Sequence, residues 1–92
     1  MRIARVHCDE DTELHIWSRH RISPQEVSET TNGRCFIIRG RLEGLYEVFG
    51  RTEAGRYLTT VIRYLGDGDA RLITARDMNW TERRRHDRHL AH

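Results

Sequence analysis

Residues 50–85, GRTEAGRYLTTVIRYLGDGDARLITARDMNWTERRR, decide the fold. Thr52-Glu53-Ala54-Gly55 reads as a hairpin-like turn, and Arg56 to Leu65 then alternates as one long strand. Leu58, Thr60, Ile62 and Tyr64 fall on one face; Tyr57, Thr59, Val61 and Arg63 fall on the other. Gly66-Asp67-Gly68-Asp69 is a second turn, and Ala70 to Ala75 is the returning strand. Turns this short make neighbouring strands antiparallel. Asn79 to Glu82 has the Asn-x-x-Glu form of a capping box and opens a helix from Trp80 to about His89. The apolar side of that helix is thin, Trp80 and Leu90, while Arg83, Arg84, Arg85 and Arg88 occupy its exposed face.

Upstream, Leu45 to Arg51 alternates as a strand, with Glu47, Phe49 and Arg51 on one face and Tyr46 and Val48 on the other. Arg34 to Arg39, RCFIIR, is a compact apolar strand, and Gly40 to Gly44 is the loop between the two. Ile22 to Val27 is the clearest local signal. Ser23 is an N-cap, Pro24 the first helical residue and Glu26 the return partner of a capping box; Ile22 and Val27 form a hydrophobic staple. A short helix from Pro24 to about Glu29 or Thr31 follows, ended by Gly33 in a left-handed turn. A first helix from Glu10 to His20 opens on the acidic run DEDTE, which suits the positive end of the helix dipole. The two helices form a corner, with Trp17, Ile22 and Val27 expected in one core. Arg2 to Cys8 reads as a short first strand. The expected architecture is one α+β domain over residues 1–92: two N-terminal helices, an antiparallel sheet of about four strands and a C-terminal helix. With the helices packed on one face, the other face of the sheet is the expected working surface.

Charged residues make up 33% of the chain and apolar residues 37%, a folded domain with a highly charged exterior. All sixteen basic side chains are arginine. A coding bias accounts for the missing lysines; guanidinium forks also suit bidentate contact with phosphate or carboxylate. Net charge is +2, but residues 1–33 carry four arginines against six acids and residues 34–92 carry twelve against eight. This basic bias is weaker than that of a protein that coats nucleic acid nonspecifically. Cys8 and Cys35 fit no metal spacing and are expected as reduced, partly buried thiols. His86 and His89 are three apart, but nothing completes a tetrahedral set, so no metal and no cofactor is expected. There is no apolar leader and no run of transmembrane length, so the expected location is the cytoplasm, with no membrane partner.

Three segments carry a family resemblance: LHIWSRHRISPQEV at 14–27, FGRTEAGRYL at 49–58 and RLITARDMNWTERRR at 71–85. Within them lie a basic residue followed by His at the first helix end (Arg19-His20), a Gly50-Arg51-Thr52…Gly55-Arg56 pattern before the central strand, and Thr74-Ala75-Arg76 followed by Glu82-Arg83. Over roughly residues 14–88 the chain resembles the BrnT family of bacterial type II toxins, which are RelE-like ribonucleases. It has Arg19-His20-Arg21 where that family often has Lys-His-Gly, and Arg5-Val6-His7-Cys8-Asp9 where an aromatic and acidic motif is usual. The resemblance implies a cytoplasmic ribonuclease that blocks translation. It also implies a cognate antitoxin of ribbon-helix-helix type, BrnA-like, that neutralises it and alone meets operator DNA. The competing reading is a catalytically silent BrnT-like module that only engages a partner protein or operator DNA.

RNA cleavage without a metal needs a base for the ribose 2′-hydroxyl, positive charge around the phosphorane and an acid for the leaving 5′-oxygen. The candidates for catalysis are His20, Arg51, Arg76 and Glu82; those for RNA binding are Arg19, Arg56, Tyr57, Arg83 and Arg84. Each has a plainer alternative. Arg51 and Arg76 either clamp one scissile phosphate or pair with Glu47, Glu53 or Asp77. His20 is a proton carrier, a helix-terminal His favoured by the dipole, or a core His on Trp17. Glu82 is a base or the capping-box carboxylate, and Tyr57 and Tyr64 are stacking or packing rings. The Arg83–Arg85 run grips RNA, meets an acidic antitoxin surface or is simply solvated.

Overall fold

The corner between the first two helices is built by caps. In a computed structural model, which describes residues 1–90, α1 spans Glu10–His20 and α2 spans Pro24–Asn32. Asp9 accepts the Thr12 N–H at 2.8 Å, and Glu10, Asp11 and Glu13 fill the first turn of α1. Ser23 Oγ accepts the Glu26 N–H at 3.2 Å while Glu26 Oε1 accepts the Ser23 N–H at 3.0 Å, so both halves of the capping box are present. Ile22 and Val27, the staple, are fully buried. Two expectations fail here. The left-handed residue is Arg21, with φ 53°, which ends α1; Gly33 is extended. The core residue of α1 is Ile16, fully buried, whereas Trp17 is 49% exposed. Ile16, one position earlier than Trp17, is the residue that faces the sheet, packed with Ile22, Val27 and Leu58.

The sheet has five strands in the order β1-β5-β4-β3-β2, with β1 Arg5–His7, β2 Cys35–Arg39, β3 Leu45–Arg51, β4 Tyr57–Gly66 and β5 Asp69–Asp77. Strands β2 to β5 form the expected antiparallel meander. The sheet as a whole is mixed, not antiparallel, because β1 lies parallel to β5. No hairpin links these two strands, so no turn constrains their direction. Arg5 instead pairs with Asp69 at 2.7 Å, and the N–H groups of Ala4 and Arg5 donate to the Gly68 carbonyl. One face of β4 behaves as its alternation predicts: Leu58 packs with Ile16, Ile22, Val27, Leu72 and Ala75 beneath α1 and α2. A second cluster of Ile3, Val48, Ile62 and Ala70 continues the core. Cys8 and Cys35 are unpaired and half-buried, and burial pushes both thiols above their ordinary value.

The third helix, α3 (Trp80–Leu90), lies on the opposite face. The working face expected to be bare therefore carries a helix across part of it. Its contacts follow the strands in turn. Glu82 meets Arg76 on β5, His86 meets Tyr57 at the start of β4, and His89 stacks on Phe36 of β2 with 3.9 Å between centroids. A helix of 11 residues is about 16 Å long, close to the width of four strands at about 4.8 Å spacing. The residues anchoring it are polar or aromatic, which is why the thin apolar pattern did not reveal them. Trp80, expected on the packing side, is 73% exposed.

Candidate functional site

Register places the site. On the α3 face, Arg51 of β3 sits opposite Tyr57 of β4, and Thr59 of β4 sits opposite Arg76 of β5. These side chains form two adjoining clusters at one end of the sheet, under the first turns of α3.

The first cluster centres on Glu82. Arg76 donates Nη1 and Nη2 to its two oxygens, each at 2.7 Å, as a fork-to-fork pair. Thr59 Oγ1 donates to the same carboxylate at 3.1 Å, and the Asn79 N–H at 3.0 Å. Arg76 above all, with the Asn79 N–H and the Thr59 hydroxyl, holds the Glu82 carboxyl below its ordinary value against the opposing effect of burial. Glu82 is thus a carboxylate that stays ionised and is 15% exposed, while Arg76 keeps 39% of its side chain open to solvent. Arg76 pairs with none of Glu47, Glu53 or Asp77 by side chain; its partner lies six residues on, at the opening of α3.

The second cluster centres on Tyr57. Arg51 lies over its ring at 4.4 Å and Arg83 at 4.2 Å, while the His86 ring meets it edge-on. The Tyr57 hydroxyl reaches Asp87 at 3.1 Å. His86 Nδ1 is also 3.1 Å from Asp87, and its contact, with the Tyr57 hydroxyl adding to it, keeps that carboxyl below its usual range. His86 is buried, and its Nε2 has no partner among the described residues. A ring with its proton on Nδ1 serves Asp87 and leaves only a lone pair unsatisfied. Arg51, Tyr57, His86, Asp87 and Leu90 line a shallow cavity at this point. Tyr57 is therefore already covered by two guanidinium groups and is no open stacking surface.

Arg51 is aimed by its own turn. Gly55, at φ +95°, presents its carbonyl to Arg51 Nε and Nη2, both at 3.2 Å. A left-handed residue is needed there, and glycine supplies it without strain. Gly50 answers a different demand: a Cβ at that position would stand 2.9 Å from the Thr30 carbonyl, so only glycine lets α2 approach β3. The Gly-Arg-Thr…Gly-Arg pattern is largely a self-bracing turn. Arg51 and Arg76 hold different partners. They stand two strands and two residues apart, about 12 Å between Cα atoms by ordinary sheet spacing, and each guanidinium is turned to its own partner.

The remaining candidates lie elsewhere. Arg56 points to the α1 side, where it donates to the carbonyls of His20 at 2.6 Å and Arg21 at 2.7 Å and pairs with Asp77 at 2.8 Å. It is a clamp on the α1–α2 corner. His20 stands near Asp77 on that same side, its ring edge-on to His15, and Arg19 is exposed beside it. The structure does not bring His20 or Arg19 into contact with Arg76 and Glu82. Arg84 is exposed on α3. Sequence reasoning missed Thr59, Asp87 and the role of His86. The face assignment of β4 held the signal for Thr59, since it shares Tyr57's side; nothing in the pattern marked His86 as buried.

A mixed sheet with a two-helix corner on one face and a third helix across the other is an arrangement shared with a known protein structure. A solved structure that shows it is the Brucella abortus ribonuclease toxin BrnT, with a TM-score of 0.61 over 86% of this chain and 97% of that chain. Sequence identity is 12%, so the likeness is one of fold. No protein-family model and no curated protein sequence matches the chain.

Proposed function

We propose that this chain is the toxin of a type II toxin–antitoxin pair, an endoribonuclease that cleaves RNA without a metal. The observation that carries the reading is the Arg76–Glu82 pair: an ionised, nearly buried carboxylate beside a half-open guanidinium, at the end of a sheet with a ribonuclease-toxin fold. Glu82 is the base candidate for the proton of a ribose 2′-hydroxyl by placement: its carboxylate lies directly beside Arg76, which offsets the lower basicity that its donors impose. Arg76 suits the group that meets charge growing on the phosphorane oxygens. Arg51, Arg83 and Arg84 extend the positive surface along the strand path, so flanking phosphates are held there. His20 stays a candidate proton donor only if the RNA wraps around the Asp77 end of the sheet.

A cognate antitoxin, neutralising the toxin by covering the Arg51–Arg76 face, completes the proposal; operator DNA would meet that partner and not this chain. Single-turnover cleavage of RNA with and without EDTA tests the reading. Arg76→Ala should lose about a hundredfold to a thousandfold in rate, the cost of removing one transition-state donor. Glu82→Gln should lose a comparable factor while leaving RNA affinity in place. Because Arg51 and Arg76 are about 12 Å apart, their losses should multiply in the double variant, as for independent sites. Abolition of cleavage by EDTA, or full activity in folded Arg76→Ala, would sink the mechanism.

A further inference from the structure

Trp80 is the most exposed of the large hydrophobic side chains described, at 73%. It stands at the first position of α3 and gives nothing to either core cluster. Its ring is instead the outer rung of a ladder of alternating aromatic and guanidinium groups. Arg83 lies 5.1 Å from the Trp80 ring and 4.2 Å from the Tyr57 ring, and Arg51 follows at 4.4 Å from Tyr57. The inner ring, Tyr57, is pinned at its hydroxyl by Asp87 and covered by both arginines. The outer ring is open.

The charge around the open ring is positive. Glu82, the acid nearest in sequence, is engaged by Arg76 and Thr59. Arg83 and Arg84 remain, and the residues on either side, Asn79 and Thr81, are polar. Protein hot spots also favour Trp, Tyr and Arg, but cluster them in well-packed pockets that desolvate on binding; the sequence neighbours of Trp80 are polar. An exposed ring flanked by arginines is instead the arrangement that binds single-stranded nucleic acid, where bases stack on the ring and phosphates meet the cations. We propose that Trp80 is a stacking platform for an unpaired base of single-stranded RNA, with Arg83 bracing the ring from beneath, one step along the strand from the Arg76–Glu82 pair. The inference deepens the ribonuclease reading and rests on it for the choice of RNA as ligand.

The chain has two tryptophans, so Trp17→Phe leaves Trp80 as the sole indole reporter. That protein is titrated with an uncleavable 2′-O-methyl oligoadenosine octamer and with a fully paired duplex of the same length. Saturable quenching by the single strand and little by the duplex is expected. Trp80→Ala, in the otherwise native chain, should bind the octamer about ten- to a hundredfold more weakly, the usual loss for one stacked base. Trp80→Phe should lose less, and the salt dependence should not change in either, because no phosphate contact is removed. Arg83→Ala should flatten that dependence. Unchanged affinity in folded Trp80→Ala would overturn the proposal. So would equal quenching by the duplex, or emission that responds only to the protein encoded beside this chain, which would assign the ring to a protein partner. Quenching by the octamer in a protein that cleaves nothing removes the ribonuclease reading and keeps the platform. Normal cleavage with wild-type KM in Trp80→Ala removes the platform alone.

Discussion

Arg56, a candidate for RNA binding, has its guanidinium committed to internal contacts. Its guanidinium ties three elements together: the end of α1 through two carbonyls, β5 through Asp77, and α2 through Glu26 at 3.4 Å. Asp77 is held below the usual carboxylate range chiefly by this contact. Asp77 is 57% exposed, so water screens that arm of the clamp, while the arms to the two carbonyls and to Glu26 are more sheltered. Arg56→Ala should therefore cost about 2 kcal/mol, typical of charged hydrogen bonds lost from a half-buried site, read as a lower denaturation midpoint with an unchanged m-value. RNA affinity should barely move. Arg56→Lys should restore little, because an ammonium cannot serve two carbonyls and a carboxylate in one plane. A large loss of RNA binding in folded Arg56→Ala would return this residue to the binding surface.

The helix caps were the most legible part of the chain, since Ser23, Pro24 and Glu26 act through groups three residues apart. Ser23→Ala should cost about 1 kcal/mol, a fall of roughly 4–8 °C in Tm for a domain of this size. A melt that does not move would show that the staple alone fixes the corner. The faces of β3 and β4 were legible for the same local reason, a period of two. What escaped was long-range. The parallel pairing of β1 depends on residues some 60 positions away, held by Asp69 contacts that no local pattern encodes. The seat of α3 depends on Phe36, Tyr57 and Arg76, one from each of three strands. Trp17 and Ile16 differ by one helical position, and which of them faces the core is settled by packing on Ile22, Val27 and the distant Leu58, not by local spacing. At the site, Arg76 and Glu82 were both visible as candidates. Their pairing was not, because it joins a strand end to a helix across a loop.

Beyond its two apolar clusters the molecule is fastened by carboxylates. Asp9 caps α1, Asp69 joins β1 to β5, Asp77 joins β5 to the corner through Arg56, Glu82 joins α3 to β5, and Asp87 joins α3 to β4. Each is held below its ordinary value: Asp9 by the Thr12 N–H, Asp69 by Arg5, Asp77 by Arg56, Glu82 by Arg76 and Asp87 by His86. A depressed carboxyl stabilises the fold fully above its unfolded pKa of about 4 and loses that contribution as pH falls through the lower, folded value. All five act in the same direction, so acid should loosen the joints between layers while the apolar clusters persist. Neutralising the fourteen acids also leaves sixteen arginines unopposed, and their repulsion adds to the loss. Tm at constant ionic strength should be flat from about pH 6 to pH 5 and fall steeply below about pH 4, where the unfolded chain takes up more protons. Added salt should recover part of the loss at low pH by screening the arginines. Glu82→Gln should lower Tm at pH 7 and make the acid limb shallower, because one proton-linked joint is already gone. A Tm unchanged between pH 6 and pH 3, or an acid limb as steep in Glu82→Gln as in the native chain, would show that the apolar clusters alone hold the layers together.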